Sequence, residues 1–195
     1  MRKIVMVFVL MSSMSFSLLY YNNYYLIFEK ANNLKLYNYG KHYYYEFFMD
    51  EKKEINGKLY YVEIRKYSFG GADTTYIRKS DVNYLQFNRI TNSESILLPL
   101  SPKIGDNWLE NDGSWKYEVI EVDKTFKTPI KSYEDCILVS CKQLTNRDLN
   151  KNEEYLIYYS KDFGFVGNVD KENNILSYLK EIKLNKKNGD KVRTK

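Results

Sequence analysis

One histidine, two cysteines and three prolines occur in 195 residues. A single imidazole leaves no histidine cluster for a metal. Two cysteines without a C-x-x-C spacing exclude a thiolate zinc site and a disulfide-dense scaffold. Three prolines are too few for a linker-rich array. The longest apolar stretch, Ile4 to Leu19, has sixteen residues and four serines, short of the ~20 apolar residues of a spanning helix. No G-x-S-x-G elbow and no glycine-rich phosphate loop is present, so the common signatures of hydrolase and kinase chemistry are missing. What the chain does hold is apolar and aromatic: 44% hydrophobic, 16% aromatic, with twenty Tyr, ten Phe and two Trp. That is enough to build a core and excludes a disordered chain.

The net charge of +5 hints at an anionic partner. Its distribution removes the hint. Arg2 and Lys3 place +2 in the first 17 residues, and Lys183 to Lys195 carries +5, so the body between is −2. Nucleic-acid binding needs a basic stripe on the fold, and none is expected.

The N-terminus has three parts. Met1-Arg-Lys3 is basic, Ile4 to Met11 is apolar, and Ser12 to Ser17 is small and polar, with Ser15 and Ser17 in an A-x-A-like arrangement. This is the pattern of a secretory signal peptide over 1–17, with cleavage after Ser17. It predicts an exported protein, periplasmic or extracellular, with no transmembrane span in the mature chain. No cysteine lies near the cleavage zone, so a lipidated N-terminal Cys is not expected.

Export permits disulfides, yet Cys136 and Cys141 lie five apart on one strand-like run. An odd spacing puts the sulfurs on opposite faces. A rise of ~3.3 Å per residue separates their Cα atoms by ~16 Å, beyond the ~7 Å a bridge allows. Both are expected to be free, with at least one buried. The alternative is an intermolecular bond through an exposed Cys141.

Helical periodicity is nearly absent. Strand-like runs cover 42–49, 58–68, 74–79, 82–89 and 95–100, then 115–124, 135–143, 154–160 and 175–183. Turn chemistry separates them, including Asn56-Gly57, suited to a two-residue hairpin. The segment 162–167 reads as a glycine-punctuated connection, and Phe28 to Leu34 as a short helix. The fold class predicted is all-β: an antiparallel meander of nine or ten strands forming a curved sheet, sandwich or open barrel. A single domain spans 18–184, and 185–195 is a basic disordered tail. Tyr39-Gly-x-x-Tyr43 and Ile104-Gly-x-x-Trp108 repeat one turn pattern. That repeat divides the domain into two related meanders, about 36–100 and 101–184. Gly40, Gly57, Gly105 and Gly164 are the predicted structural turns.

Several signatures stand in a fixed order: Ile55-Asn-Gly-Lys-Leu-Tyr-Tyr61, Ile104-Gly-Asp-Asn-Trp108, and Tyr158-Tyr159 ahead of Phe163-Gly-Phe-Val166. In this the chain resembles a large group of uncharacterised exported or lipoprotein-like β-meander proteins of Gram-negative bacteria, with NGKxYY hairpins and GDxW turns. The resemblance spans Leu36 to Ile182. It implies a fold and no reaction.

Chemistry candidates are few. His42 shares a strand face with Glu46, but i, i+4 on a strand is ~13 Å, too far for a hydrogen bond. Asp148-Leu-Asn-Lys-Asn152 has the D-x-N-x-N spacing of a calcium loop but lacks its glycine and its bidentate glutamate. Asp162-Phe-Gly164 lacks every companion motif of a kinase. Asp106 reads as a turn residue, and the adjacent Glu153 and Glu154 point opposite ways. No metal site, cofactor or catalytic constellation is expected. The distinctive feature is the tyrosines. Tyr45, Tyr61, Trp108, Trp115 and Tyr159 are the candidate aromatic platform for a ligand. The expected role is non-enzymatic, binding or structural, toward a glycan, an apolar ligand held in a concave sheet, or an envelope protein. A secreted enzyme using carboxylates is the alternative.

Overall fold

The computed structural model describes residues 33–149, 153–161 and 163–184. The expected signal peptide, residues 28–32 of the expected helix, and the expected tail lie outside the described residues. Thirteen strands run in chain order. In the first half they are β1 (Asn33–Tyr39), β2 (His42–Phe48), β3 (Lys53–Ile55), β4 (Lys58–Tyr67), β5 (Ala72–Lys79), β6 (Asn83–Asn88) and β7 (Ser93–Pro99). In the second they are β8 (Asn107–Leu109), β9 (Trp115–Lys127), β10 (Ser132–Gln143), β11 (Glu154–Ser160), β12 (Gly164–Asp170) and β13 (Ile175–Leu184). One 3-10 turn, Asn146–Asp148, is the helical exception among the described residues. None of their helices is long and apolar enough to cross a membrane.

All strands join one antiparallel sheet in the order β7-β6-β5-β4-β2-β1-β13-β12-β11-β10-β9-β8, with β3 paired to β4. The first meander and the second therefore lie side by side, welded by the β1·β13 ladder from Asn33↔Leu184 to Tyr39↔Ser177. The two outer strands, β7 and β8, are neighbours in the chain and lie at opposite ends of the sheet order. One buried cluster nonetheless joins Ile77, Tyr84 and Leu98 of β5–β7 to Trp108, Trp115, Val139 and Tyr159 of β8–β11. Strands so far apart in order share a core because the sheet rolls into a nearly closed barrel. The seam between β7 and β8 carries side-chain bonds in place of a ladder: the Asn111 N–H donates to Ser95 Oγ at 3.0 Å, and its side-chain amide donates to Ser93. Burying each large side chain of this core contributes ~1.5–3 kcal/mol.

The turns follow their chemistry. Asn56 and Gly57 both take positive φ, 51° and 73°, and the pair Ile55↔Lys58 closes a two-residue hairpin. Gly40, Gly105 and Gly164 also have positive φ. In the Ile104 to Trp108 turn the Asp106 carboxylate accepts from the Lys103 N–H at 2.8 Å, and Asp106 and Val119 bond through their backbones. Asp106 is a turn residue.

Three sequence expectations are corrected. Residues 164–167 belong to β12, because the glycines carry a bulge opposite Tyr158/Tyr159 and leave the ladder intact around it. Asn33 and Leu34 are strand, paired to β13. Cys141 is buried, like Cys136, so it offers no exposed thiol for an intermolecular bond. Each free sulfur sits in a different apolar cluster, and burial pushes both thiols up, Cys136 to about 11.

Candidate functional site

The barrel interior holds a cavity of about 290 Å3, partly open to solvent. Its two walls differ. The wall from the second meander is apolar: Tyr155, Ile157 and Tyr159 of β11, with Phe165 of β12. The wall from the first is charged: Lys35 of β1, Glu46 of β2, Glu63 and Arg65 of β4. Thr75, Gln86 and Asn168 add neutral polar groups, and Phe48, Ile77 and Leu97 set apolar side chains among the charges of the first meander.

Strand register builds the charged wall. Lys35 pairs with Glu46, and Glu46 pairs with Arg65, so three charges of alternating sign lie in one row across β1-β2-β4. Directly opposed side chains stand ~4.5–5.5 Å apart at Cβ. Arg65 donates to Glu46 Oε2 from Nη2 at 2.8 Å and from Nε at 3.3 Å. The Tyr37 hydroxyl lies 3.4 Å from Glu46 Oε1 and donates to the Phe165 carbonyl at 2.9 Å. The Lys35 ammonium donates to the Phe163 carbonyl at 2.8 Å. Glu63 stands two residues from Arg65 on the same face, opposite Phe48 and Thr75. Among the described residues it takes no hydrogen bond and no ion pair. Burial, and then the Glu46 charge, push its carboxyl up to about 8, against the pull of Arg65 and Lys35. Glu63 therefore keeps its proton to a higher pH than an ordinary glutamate does.

Tyr60 and Val62 of β4 face the other way, whereas Tyr61 and Tyr67 share the inward face and pack against the two main clusters. Tyr60 and Val62 form a small cluster with Tyr76, Phe87 and Ile55. Beside it Glu94 accepts from Arg78, from Lys58 at 2.8 Å and from the Tyr60 hydroxyl at 2.6 Å. Those donors, Arg78 first, hold the Glu94 carboxyl down at about 2.

The five platform residues do not share a surface. Trp108, Trp115 and Tyr159 are buried in the main core, and Tyr61 packs against it. Tyr45, paired with Leu36 and Lys66, is half-buried beside Tyr43 on the opposite face of β2 from Glu46. Tyr159 alone of the five lines the cavity. Asp148, first residue of the expected calcium spacing, is committed elsewhere: its Oδ2 accepts from Trp115 Nε1 at 2.7 Å and from Arg147 Nη2 at 2.8 Å. Residues 150–152 and Asp162 lie outside the described residues. His42 packs edge-on against Phe69, with ring centroids 5.4 Å apart.

Lys35, Glu46, Glu63 and Arg65 were missed by sequence reasoning. The available signal was a charged residue at every second position of a central strand, Glu63 and Arg65, matched by Glu46 in the neighbouring aromatic strand. The fold and the site define an antiparallel barrel-like meander with one ionisable and one aromatic interior wall. No family model, no curated protein and no solved structure matches the chain.

Proposed function

We propose that this chain is an exported, non-enzymatic binding protein that takes a small, partly apolar molecule into the barrel interior. The observation that carries the reading is the cavity itself. Its volume, about 290 Å3, stands just below the ~300–1,000 Å3 of small-molecule sites, and its lining divides evenly between apolar or aromatic side chains and polar or charged ones, more polar than such sites usually are. Export rests on the three-part N-terminus, and the resemblance to exported β-meander proteins agrees with it. The cavity supersedes the exposed aromatic platform as the place where a ligand binds.

A thermal-shift panel of small aromatic and aliphatic molecules, cationic, anionic and neutral, tests the binding. At least one class raises the melting temperature of the native protein and not that of Ile157→Trp, which fills the cavity. A panel without any such shift overturns the reading. Export is tested by fusing residues 1–25 to a reporter: the mature N-terminus is expected at Leu18, outside the cytoplasm.

One observation favours a second reading. Glu46 and Glu63 share the cavity, one ion-paired by Arg65 and the other with its carboxyl pushed up by burial and by the Glu46 charge. Carboxyl groups pushed into different states are how acid–base pairs are made. Turnover of chromogenic esters or glycosides, lost in both Glu46→Gln and Glu63→Gln, would move the protein into the enzyme class.

A further inference from the structure

Within the proposed binding cavity, we infer that the ligand is a small organic ammonium ion with an aromatic or aliphatic body, its nitrogen held by the Glu63 carboxylate. The inference rests on the reading of the cavity as a binding site and adds the chemistry of the occupant.

The charged groups facing the cavity divide by whether they are already satisfied. Arg65 is committed to Glu46, and Glu46 to Arg65. The Lys35 ammonium has the Phe163 carbonyl. Glu63 has no partner among the described residues, and it faces the cavity. The Glu63 side chain is half-buried and opens on the cavity, so a cationic donor from outside the chain can reach its carboxyl and supply the charge-assisted hydrogen bond that the described residues do not. Across the cavity stand Tyr155, Tyr159 and Phe165. Aromatic faces attract cations, and more strongly where water is excluded. An arylalkylammonium would set its nitrogen on the charged wall and its ring on the aromatic wall.

An anion fits less well. Arg65 is already paired with the Glu46 carboxylate that an anion would meet, and the Lys35 ammonium already donates to the Phe163 carbonyl. The other titratable groups around Glu63 are Tyr37 on β1, Tyr44 on β2, and Tyr155 and Tyr159 on β11. Burial holds all four hydroxyls protonated well above neutral pH, so they supply no competing charge.

Binding then exchanges one cation for another. The ammonium enters, and the proton of Glu63 leaves to the buffer. Net charge in the cavity is unchanged, and an unpaired carboxyl becomes a charge-assisted hydrogen bond.

The test uses three ligands of one shape, 2-phenylethylammonium, 2-phenylethanol and 3-phenylpropionate, titrated calorimetrically into the full chain at pH 6, 7 and 8. The amine is expected to bind best. Its affinity rises roughly tenfold from pH 6 to 7 and less toward 8, because only ionised Glu63 accepts it. Proton release is read from the dependence of the heat on buffer. Glu63→Gln loses both the amine preference and the pH dependence, while its near-ultraviolet circular dichroism stays native. The inference is overturned if 3-phenylpropionate binds best, or if amine affinity is flat or falls between pH 6 and 8. In either case the cavity still binds, and the reading of the protein as a binder stands. If none of the three binds at millimolar concentration, the inference fails. If the wider thermal-shift panel is blank as well, the binding reading fails with it.

Discussion

Arg65 on β4 stands directly across from Glu46 on β2 and donates to its carboxylate at 2.8 Å, inside the barrel. Glu46 is only 5% exposed, so its charge depends on that donor. Arg65→Met is expected to destabilise the fold by about 3 kcal/mol, the cost of leaving a buried charge unpaired. The double variant Glu46→Leu/Arg65→Met should recover more than half of that, because no charge is then stranded. Urea unfolding midpoints of the native protein and the two variants check both statements.

Two carboxyl groups give stability a pH dependence of opposite sign. The folded state lifts Glu63 from an ordinary value of 4.5 to about 8. Between those values the unfolded chain has lost the proton and the folded one keeps it, so stability falls as pH rises across the window. Glu94 is held down at about 2. Its contribution is complete above about 4.5 and is lost as pH falls toward 2. The urea midpoint is expected to peak near pH 5 and to decline toward pH 8. Glu63→Gln removes the decline and is more stable than the native protein at pH 8. A native protein with equal midpoints at pH 5 and 8 would contradict this.

The two tryptophans are not equivalent. Trp115 Nε1 donates to Asp148 at 2.7 Å, and Asp148 is held by Arg147, which also pairs with Glu110 at 2.7 Å and Asp112 at 2.5 Å. Trp108 Nε1 is buried without an acceptor among the described residues, while its ring stacks on Tyr117 at 5.5 Å. Replacing each by Phe removes the N–H and keeps most of the ring. Trp115→Phe should cost about 2 kcal/mol, since it also strips a donor from Asp148. Trp108→Phe should cost less than about 1 kcal/mol, because an unsatisfied donor is removed along with the lost volume. Thermal melts of the two variants should differ in that order.

Gly167 is fixed by crowding. A Cβ built there would overlap the Ser177 carbonyl oxygen and come 2.5 Å from the Phe126 ring. Phe126 cannot easily retreat, because it stacks on Tyr158 at 4.3 Å. Gly167→Ala is expected to destabilise by roughly 2–3 kcal/mol through overpacking, whereas Gly70→Ala, with open space around its Cβ position, pays only for its positive φ. Denaturation midpoints of the two alanine variants test the ranking.

Much of the fold was legible from local chemistry. Alternation marked the long strands, and Asn56-Gly57 marked its hairpin because few dipeptides accept positive φ twice. β12 was not legible, since Gly164 and Gly167 look like turn residues until a partner strand shows them to be a bulge and a close approach. β1 was obscured by Asn33 and Asn38, which have low strand propensity; Asn33 is held by Leu184 on β13, and Asn38 by Tyr178 on β13 and Tyr43 on β2. The site was not legible for a different reason. Alternation along β4 separates Tyr60 and Val62 from Glu63 and Arg65, but it does not say which face turns inward. Habit puts the apolar face inside. Here the barrel turns the charged face in, and the apolar face makes its own small cluster with Phe87 and Tyr76. That choice depends on how the sheet rolls, which is settled by residues more than a hundred positions away.

The sheet order bears on how the chain is threaded. Asn33 and Leu184 are ladder partners, while the link from β7 to β8 crosses the one seam without a ladder. A circular permutant joined from 184 to 33 and opened between 100 and 107 would keep every strand pairing of the barrel. Its two meanders would simply exchange places in the chain. The topology is thus a ring with a movable starting point, and the weld at β1·β13 is the closure that links the most distant parts of the sequence.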